Sequence, residues 1–108
     1  GELAELWSRG SKAGLESLSD TERVRFINFC TYMFRTWEEL HLQHSSGKMD
    51  GALYTANISI MRDIFHLRGA NEAWQVRRHV FTPAFQTYFE SYVASGEAKP
   101  LYGSPPGA

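Results

Sequence analysis

The sequence predicts an all-α domain: a four-helix, bundle-like fold of two long and two short helices, with a helical extension at its N-terminus. Three observations predict this class. Apolar residues recur at steps of three and four rather than two, a capping residue precedes each main helix, and 43% of the 108 residues are hydrophobic and 14% aromatic, which is enough for a packed core. A chain of this length forms a single domain.

Residues 1–17 are predicted to form a short helix that leads into the domain. Leu3, Leu6 and Trp7 have the spacing of one helical face, and two glycines then interrupt the pattern. We expect this helix to pack on the main helical domain, which spans residues 18–96.

The long helix between Ser19 and Gly47 organises the predicted fold. Ser19 caps its start, Glu22 completes a capping box, and Gly47 is a typical stop. Its apolar stripe consists of Phe26, Cys30, Met33, Trp37 and Leu40, widened by Ile27 and Phe34. A stripe of this length requires other helices to pack along it.

A second long helix is predicted over about residues 51–68, with Asp50 as its cap and Gly69 as its stop. The short turn before it favours an antiparallel hairpin with the first long helix.

A third, shorter helix is predicted from its cap, Asn71, through about His79. The fourth begins after Thr82, with proline at its first position, and runs to about Ser95.

The tail over residues 97–108 contains three prolines and two glycines, which predicts an irregular segment. Its apolar residues Leu101 and Tyr102 are candidates for contact with a protein partner.

Charge and cysteine content narrow the classes of function. With 11 basic and 12 acidic side chains the formal net charge is −1, so nucleic acid is not an expected partner. The single cysteine, Cys30, lacks an intrachain disulfide partner, which favours a reducing, cytoplasmic location.

Catalytic signatures are missing from the sequence. Cys30 lies on the apolar stripe, where a thiol stays protonated, and there is neither a Gly-x-Ser-x-Gly elbow nor a glycine-rich phosphate loop. The sequence therefore predicts a protein that is not an enzyme.

A glutamate and a histidine three residues apart are the sharpest hint of a metal site. Di-iron carboxylate bundles use the spacing of Glu38 and His41 twice, and Asp63 and His66 repeat it weakly. A complete site needs more inward carboxylates than the sequence offers. Salt bridges at the core boundary are favoured, and no cofactor is expected.

Two adjacent arginines form a candidate site for an anion or acidic ligand. Arg77 and Arg78, with Trp74 one turn earlier, could hold a carboxylate or phosphate in a bidentate fork. The more common alternative is a solvated face. Arg78 is also predicted to form a buried ion pair with Glu38.

Two stretches, RTWEELHLQHSSGKMD and WQVRRHVFTPAF, resemble a group of uncharacterised bacterial proteins with a small helical domain, many of which look membrane-tethered by an upstream hydrophobic helix. The matching positions are Trp37, Glu38, Gln43, His44, Gly47, Trp74, Arg78, Phe81, Pro83 and Phe85. The resemblance spans about residues 18–93 and implies no activity. It implies a membrane tether only where such a helix precedes the domain, and this sequence contains none.

The favoured function is a non-catalytic interaction or accessory domain in the cytoplasm or at the cytoplasmic face of a membrane. It would present helix surfaces or its tail to a protein partner or to another copy of itself. The alternative is a sensor of an acidic small molecule that uses Arg77 or Arg78. A di-metal carboxylate protein comes third.

Overall fold

The computed structural model describes residues 1–100, and this part of the chain is all-α, as the sequence predicts. The five α-helices are α1 (Glu2–Ala13), α2 (Asp20–Ser45), α3 (Gly51–Phe65), α4 (Arg68–Arg77) and α5 (Pro83–Tyr88). Short 3₁₀ turns at Leu15–Ser17 and Arg78–Val80 precede α2 and α5, and a π-helical turn at Phe89–Val93 continues α5. No strand occurs in residues 1–100.

The start and the stop predicted for the long helix are both confirmed. The Ser19 side chain accepts a hydrogen bond from the Glu22 amide, and the Glu22 carboxylate accepts one from the Ser19 amide. Gly47 follows the helix with φ at 73°, a left-handed conformation that favours glycine. The stripe buries Phe26, Cys30, Phe34 and Trp37, together with Glu38.

The boundary between α3 and α4 differs from the prediction. Asp50 caps α3 as expected. However, α3 already ends at Phe65, and α4 begins after Leu67, which has an extended conformation. Gly69 and Asn71, predicted as a stop and as a cap, therefore lie inside α4.

Gly69 is a packing residue because α1 crosses α4 there. A Cβ atom on Gly69 would lie 2.1 Å from the carbonyl oxygen of Gly10 in α1. A Cβ atom on Gly10 would in turn lie 2.6 Å from the ring of Phe26. Only glycines allow the two backbones to approach this closely.

The last helix begins as predicted and then changes its winding. Thr82 accepts a hydrogen bond from the amide of Phe85, and proline occupies the first position of α5. The α-helix ends at Tyr88 rather than near Ser95, because the chain continues as a π-helical turn. Within that turn Phe89 and Val93 are both fully buried.

Aromatic rings from α2, α4, the π-helical turn and the segment just before α5 form the centre of the core. The Trp74 ring centroid lies 4.6 Å from that of Phe89 and 5.2 Å from those of Phe34 and Phe81.

None of the helices in residues 1–100 combines the length and the apolar character that crossing a bilayer requires.

Candidate functional site

The predicted anion site is occupied by an acid of the chain itself. Nε and Nη2 of Arg78 donate to the two carboxylate oxygens of Glu90 at 2.6 and 2.7 Å, and Trp74 Nε1 donates to the same carboxylate at 2.8 Å. The Arg78 hydrogen bond, aided by that of Trp74, holds the pKa of Glu90 below its ordinary value although burial opposes this. Trp74 is fully buried, and the half-buried Arg77 ends α4 beside this ion pair.

The ion pair predicted between Arg78 and Glu38 is wrong. Arg78 opens the 3₁₀ turn after α4, from which its guanidinium reaches Glu90 in the π-helical turn. Glu38 is held instead by Arg35 at 2.7 Å and by the backbone N–H of Thr82 at 3.0 Å. Burial raises the pKa of Glu38, but these hydrogen bonds outweigh it and leave the pKa below its ordinary value. Glu38 thus joins the middle of α2 to the start of α5.

The four weak metal candidates do not come together as a site. His41 contacts Tyr54, Asp63 accepts a hydrogen bond from the Lys99 amide at 2.8 Å, and His66 bonds its own helix at the Arg62 carbonyl. Within residues 1–100 no group of three or more His, Cys, Asp or Glu side chains could hold a metal ion. Leu101 and Tyr102 lie outside the described residues.

A half-buried cluster of two tyrosines and two histidines, here called the His–Tyr cluster, joins α2, α3 and α5. His41 stacks on Tyr88 with 3.8 Å between ring centroids, and its Nδ1 lies 3.0 Å from the Tyr54 hydroxyl. The hydroxyls of Tyr54 and Tyr88 are hydrogen-bonded to each other. His44 stacks on Tyr54, also at 3.8 Å.

The sequence predicts His41 as a residue at the core boundary and, only weakly, as a metal ligand with Glu38, and it does not predict the His–Tyr cluster. The i, i+3 spacing of His41 and His44 was the only local signal, because the tyrosines come from distant segments. Burial, with a smaller contribution from the His44 charge, lowers the pKa of His41. Burial likewise raises the pKa of Tyr54 and of Tyr88 above the ordinary tyrosine value.

An open groove of about 620 Å³ lies between α1 and the first half of α2, and we call it the α1–α2 groove. Leu6 is buried in it, while Leu3, Phe29 and Tyr32 remain 61%, 43% and 77% exposed. The groove exists because α1 is held against α4 through Gly10, so that it covers Phe26 but leaves Phe29 partly open.

Two ion pairs bridge the helices that form the α1–α2 groove. Arg25 of α2 pairs with Glu2 of α1 at 3.0 Å, and Arg9 of α1 pairs with Glu22 of α2. Hydrogen bonding to Ser19 and to Arg9 holds the pKa of Glu22 below its ordinary value. The rim therefore carries acids and bases together, around an apolar centre.

No protein-family model matches this chain, and searches of curated proteins and of solved structures find no match either.

Proposed function

We propose that this chain is a non-catalytic interaction domain, that the α1–α2 groove is its docking surface, and that its partner is a second copy of the same chain. The observation that carries the proposal is the exposure of Leu3, Phe29 and Tyr32 side by side in one groove. An apolar patch rimmed by charged residues is typical of a protein interaction site.

The aromatic content of the groove suits protein binding. Interfaces are enriched in tyrosine and phenylalanine, and a few such anchors contribute most of the binding energy. The buried polar groups, in contrast, are already satisfied: within the described residues every buried side-chain nitrogen or oxygen has a hydrogen-bond partner. This favours an activity at the surface over one inside the core.

Charge favours a second copy as the occupant. A two-fold axis places the same patch against itself, and the rim of the α1–α2 groove carries both signs, in Glu2, Glu22, Arg9 and Arg25. These four charges already pair within the chain, so a two-fold contact brings together two rims that are each neutral overall. The formal net charge of −1 adds little repulsion between copies, and near-neutral chains associate readily.

The test is sedimentation velocity over a wide range of protein concentrations. The groove variant carries Phe29→Ser and Tyr32→Ser, and the matched control carries Leu53→Ser and Ile60→Ser on α3. The two control residues are comparably exposed, at 55% and 46%. We expect the wild type and the control to dimerise and the groove variant to dissociate at least about tenfold more readily. Two anchors are lost, each worth more than about 1 kcal/mol, and a tenfold change corresponds to about 1.4 kcal/mol.

Two outcomes would overturn the proposal. A wild type that stays monomeric at every concentration excludes self-pairing, and a groove variant that dimerises as well as the wild type excludes the α1–α2 groove as the interface. If the wild type is monomeric but retains a different protein that the groove variant loses, the groove serves another partner and self-pairing is wrong. Circular dichroism establishes that each variant is folded.

Other sequence-based predictions are compatible with this proposal. In the proposed arrangement α2 to α5 form the four-helix, bundle-like core, and α1 is the added helix that builds the groove. The cytoplasmic location, the membrane tether and the bacterial family resemblance stay predictions. Sensing of an acidic ligand is less favoured, because Arg78 and Trp74 are already bound to Glu90.

A further inference from the structure

The His–Tyr cluster joins three elements through a single hydrogen-bond network. Tyr54 is the central member, because its hydroxyl contacts both His41 Nδ1 and the Tyr88 hydroxyl. These residues belong to α2, α3 and α5, so the network connects the late part of α2 to the first turn of α3 and to the end of α5.

A neutral His41 fits this network in two ways. Each tyrosine hydroxyl can donate one hydrogen and accept another, and a neutral imidazole has one donor and one acceptor nitrogen. Hydrogen bonds can therefore run from His41 to Tyr88 or in the opposite direction. A protonated imidazole donates from both nitrogens, which permits only one direction and places a positive charge in the cluster.

Little in the surroundings of His41 balances that charge. The titratable and charged groups around the ring are His44 from α2, Tyr54 from α3, Tyr88 from α5 and, beyond Tyr88, Tyr92 from the π-helical turn with Arg62 of α3 over its ring. Glu38, one turn earlier on α2, is bound by Arg35 and Thr82. Within residues 1–100 the charged group that affects the pKa of His41 is His44, whose positive charge disfavours protonation of the His41 ring.

We propose that His41 is a proton-sensitive latch: when it takes up a proton, the contact that joins α3 and α5 to α2 opens while the rest of the domain stays folded. The proposal is independent of self-pairing, since the His–Tyr cluster and the α1–α2 groove use different residues.

The direction of the effect follows from linkage. The pKa of His41 is lowered in the closed cluster, mainly by burial, so the open cluster binds more protons in acid. The closed form is most stable above about pH 6.5, the ordinary histidine value, and weakens as the pH falls through the lower pKa of the closed form. Between these two pKa values, the equilibrium constant for opening the cluster rises about tenfold for each unit by which the pH falls.

The experiment is amide hydrogen exchange of the full chain from pH 8 to pH 5, corrected for intrinsic exchange rates. The variants are His41→Gln, which keeps a hydrogen-bonding side chain that does not titrate, and His79→Gln, a control at an exposed histidine. We expect exchange in residues 51–58 and 83–88 to accelerate in acid in the wild type and in the control, but not in His41→Gln. Amides around Trp74 should stay protected throughout.

Either of two results would overturn the proposal. One is an acid-induced opening that persists unchanged in His41→Gln. The other is a His41 ring that titrates in the wild type, followed by NMR, at or above the ordinary histidine pKa. The second measurement decides the matter even if His41→Gln does not fold.

Discussion

Replacing Gly69 by alanine tests whether the close crossing of α1 and α4 is required. The new Cβ atom would lie 2.1 Å from the carbonyl oxygen and 2.7 Å from the carbonyl carbon of Gly10. Both are backbone atoms that cannot rotate away, so α1 must retreat from α4 by about 1 Å to restore ordinary contact. Overpacking of this kind destabilises a domain by about 1–3 kcal/mol.

Gly51→Ala is the matched control. Gly51 begins α3, and a Cβ atom there meets nothing within 4 Å. The same chemical change should therefore stabilise the protein by about 0.4–1 kcal/mol, because it restricts the unfolded chain.

Urea unfolding, followed by circular dichroism, measures both variants against the wild type. The two alanines should shift the midpoint in opposite directions, and in thermal unfolding each kcal/mol corresponds to roughly 4–8 °C for a domain of about this size. A Gly69→Ala protein as stable as Gly51→Ala would refute the close crossing and, with it, the explanation for the α1–α2 groove.

Further predictions concern two carboxylates and one thiol. Glu38→Ala leaves the Thr82 amide without its acceptor and should destabilise the domain by about 1–3 kcal/mol in urea unfolding; an unchanged midpoint would exclude this link. Glu90→Ala should destabilise the domain by a similar amount, about 1–3 kcal/mol, because the indole N–H of the fully buried Trp74 loses its acceptor. The fluorescence of Trp74 should then report a more mobile ring. Both carboxyls have pKa values below 4.5 in the fold, so their contribution is present above about pH 4.5 and is lost as acid protonates them. Burial raises the pKa of Cys30 to about 12, so this thiol should react with a disulfide reagent only after unfolding; rapid reaction of the native protein would contradict its burial.

Local signals in the sequence predict much of the fold. Three capping signals each predict a helix start that the structure confirms: the Ser19–Glu22 capping box, Asp50, and Thr82 before a proline. These signals are reliable because a cap satisfies backbone groups within three residues of itself.

Features that depend on long-range contacts could not be predicted in this way. Gly69 comes directly after a helical pattern, as a stop would, yet it lies inside α4. Its role there is to pack against Gly10, which is 59 residues earlier in the sequence. Arg78 pairs with Glu90 of the π-helical turn rather than with Glu38, and no local pattern in the sequence indicates that pairing.

The two candidate sites were missed for the same reason. The spacing of Leu3 and Leu6 predicts a packed helical face, but the crossing at Gly10 leaves Leu3 open beside Phe29. Likewise, His41 belongs to a network with Tyr54 and Tyr88, which are 13 and 47 residues further along the chain.

Paramagnetic NMR on mixed samples tests the proposed self-pairing most directly. One population is labelled with ¹⁵N; the other carries Thr36→Cys with a nitroxide, at an exposed site on α2 one turn beyond Tyr32. The buried Cys30 should not take up the label. If two copies pair through the α1–α2 groove, the nitroxide broadens amide signals of α1 and the first half of α2 in the ¹⁵N-labelled copies. Broadening confined to another face, or none at concentrations where the protein sediments as a dimer, would contradict it.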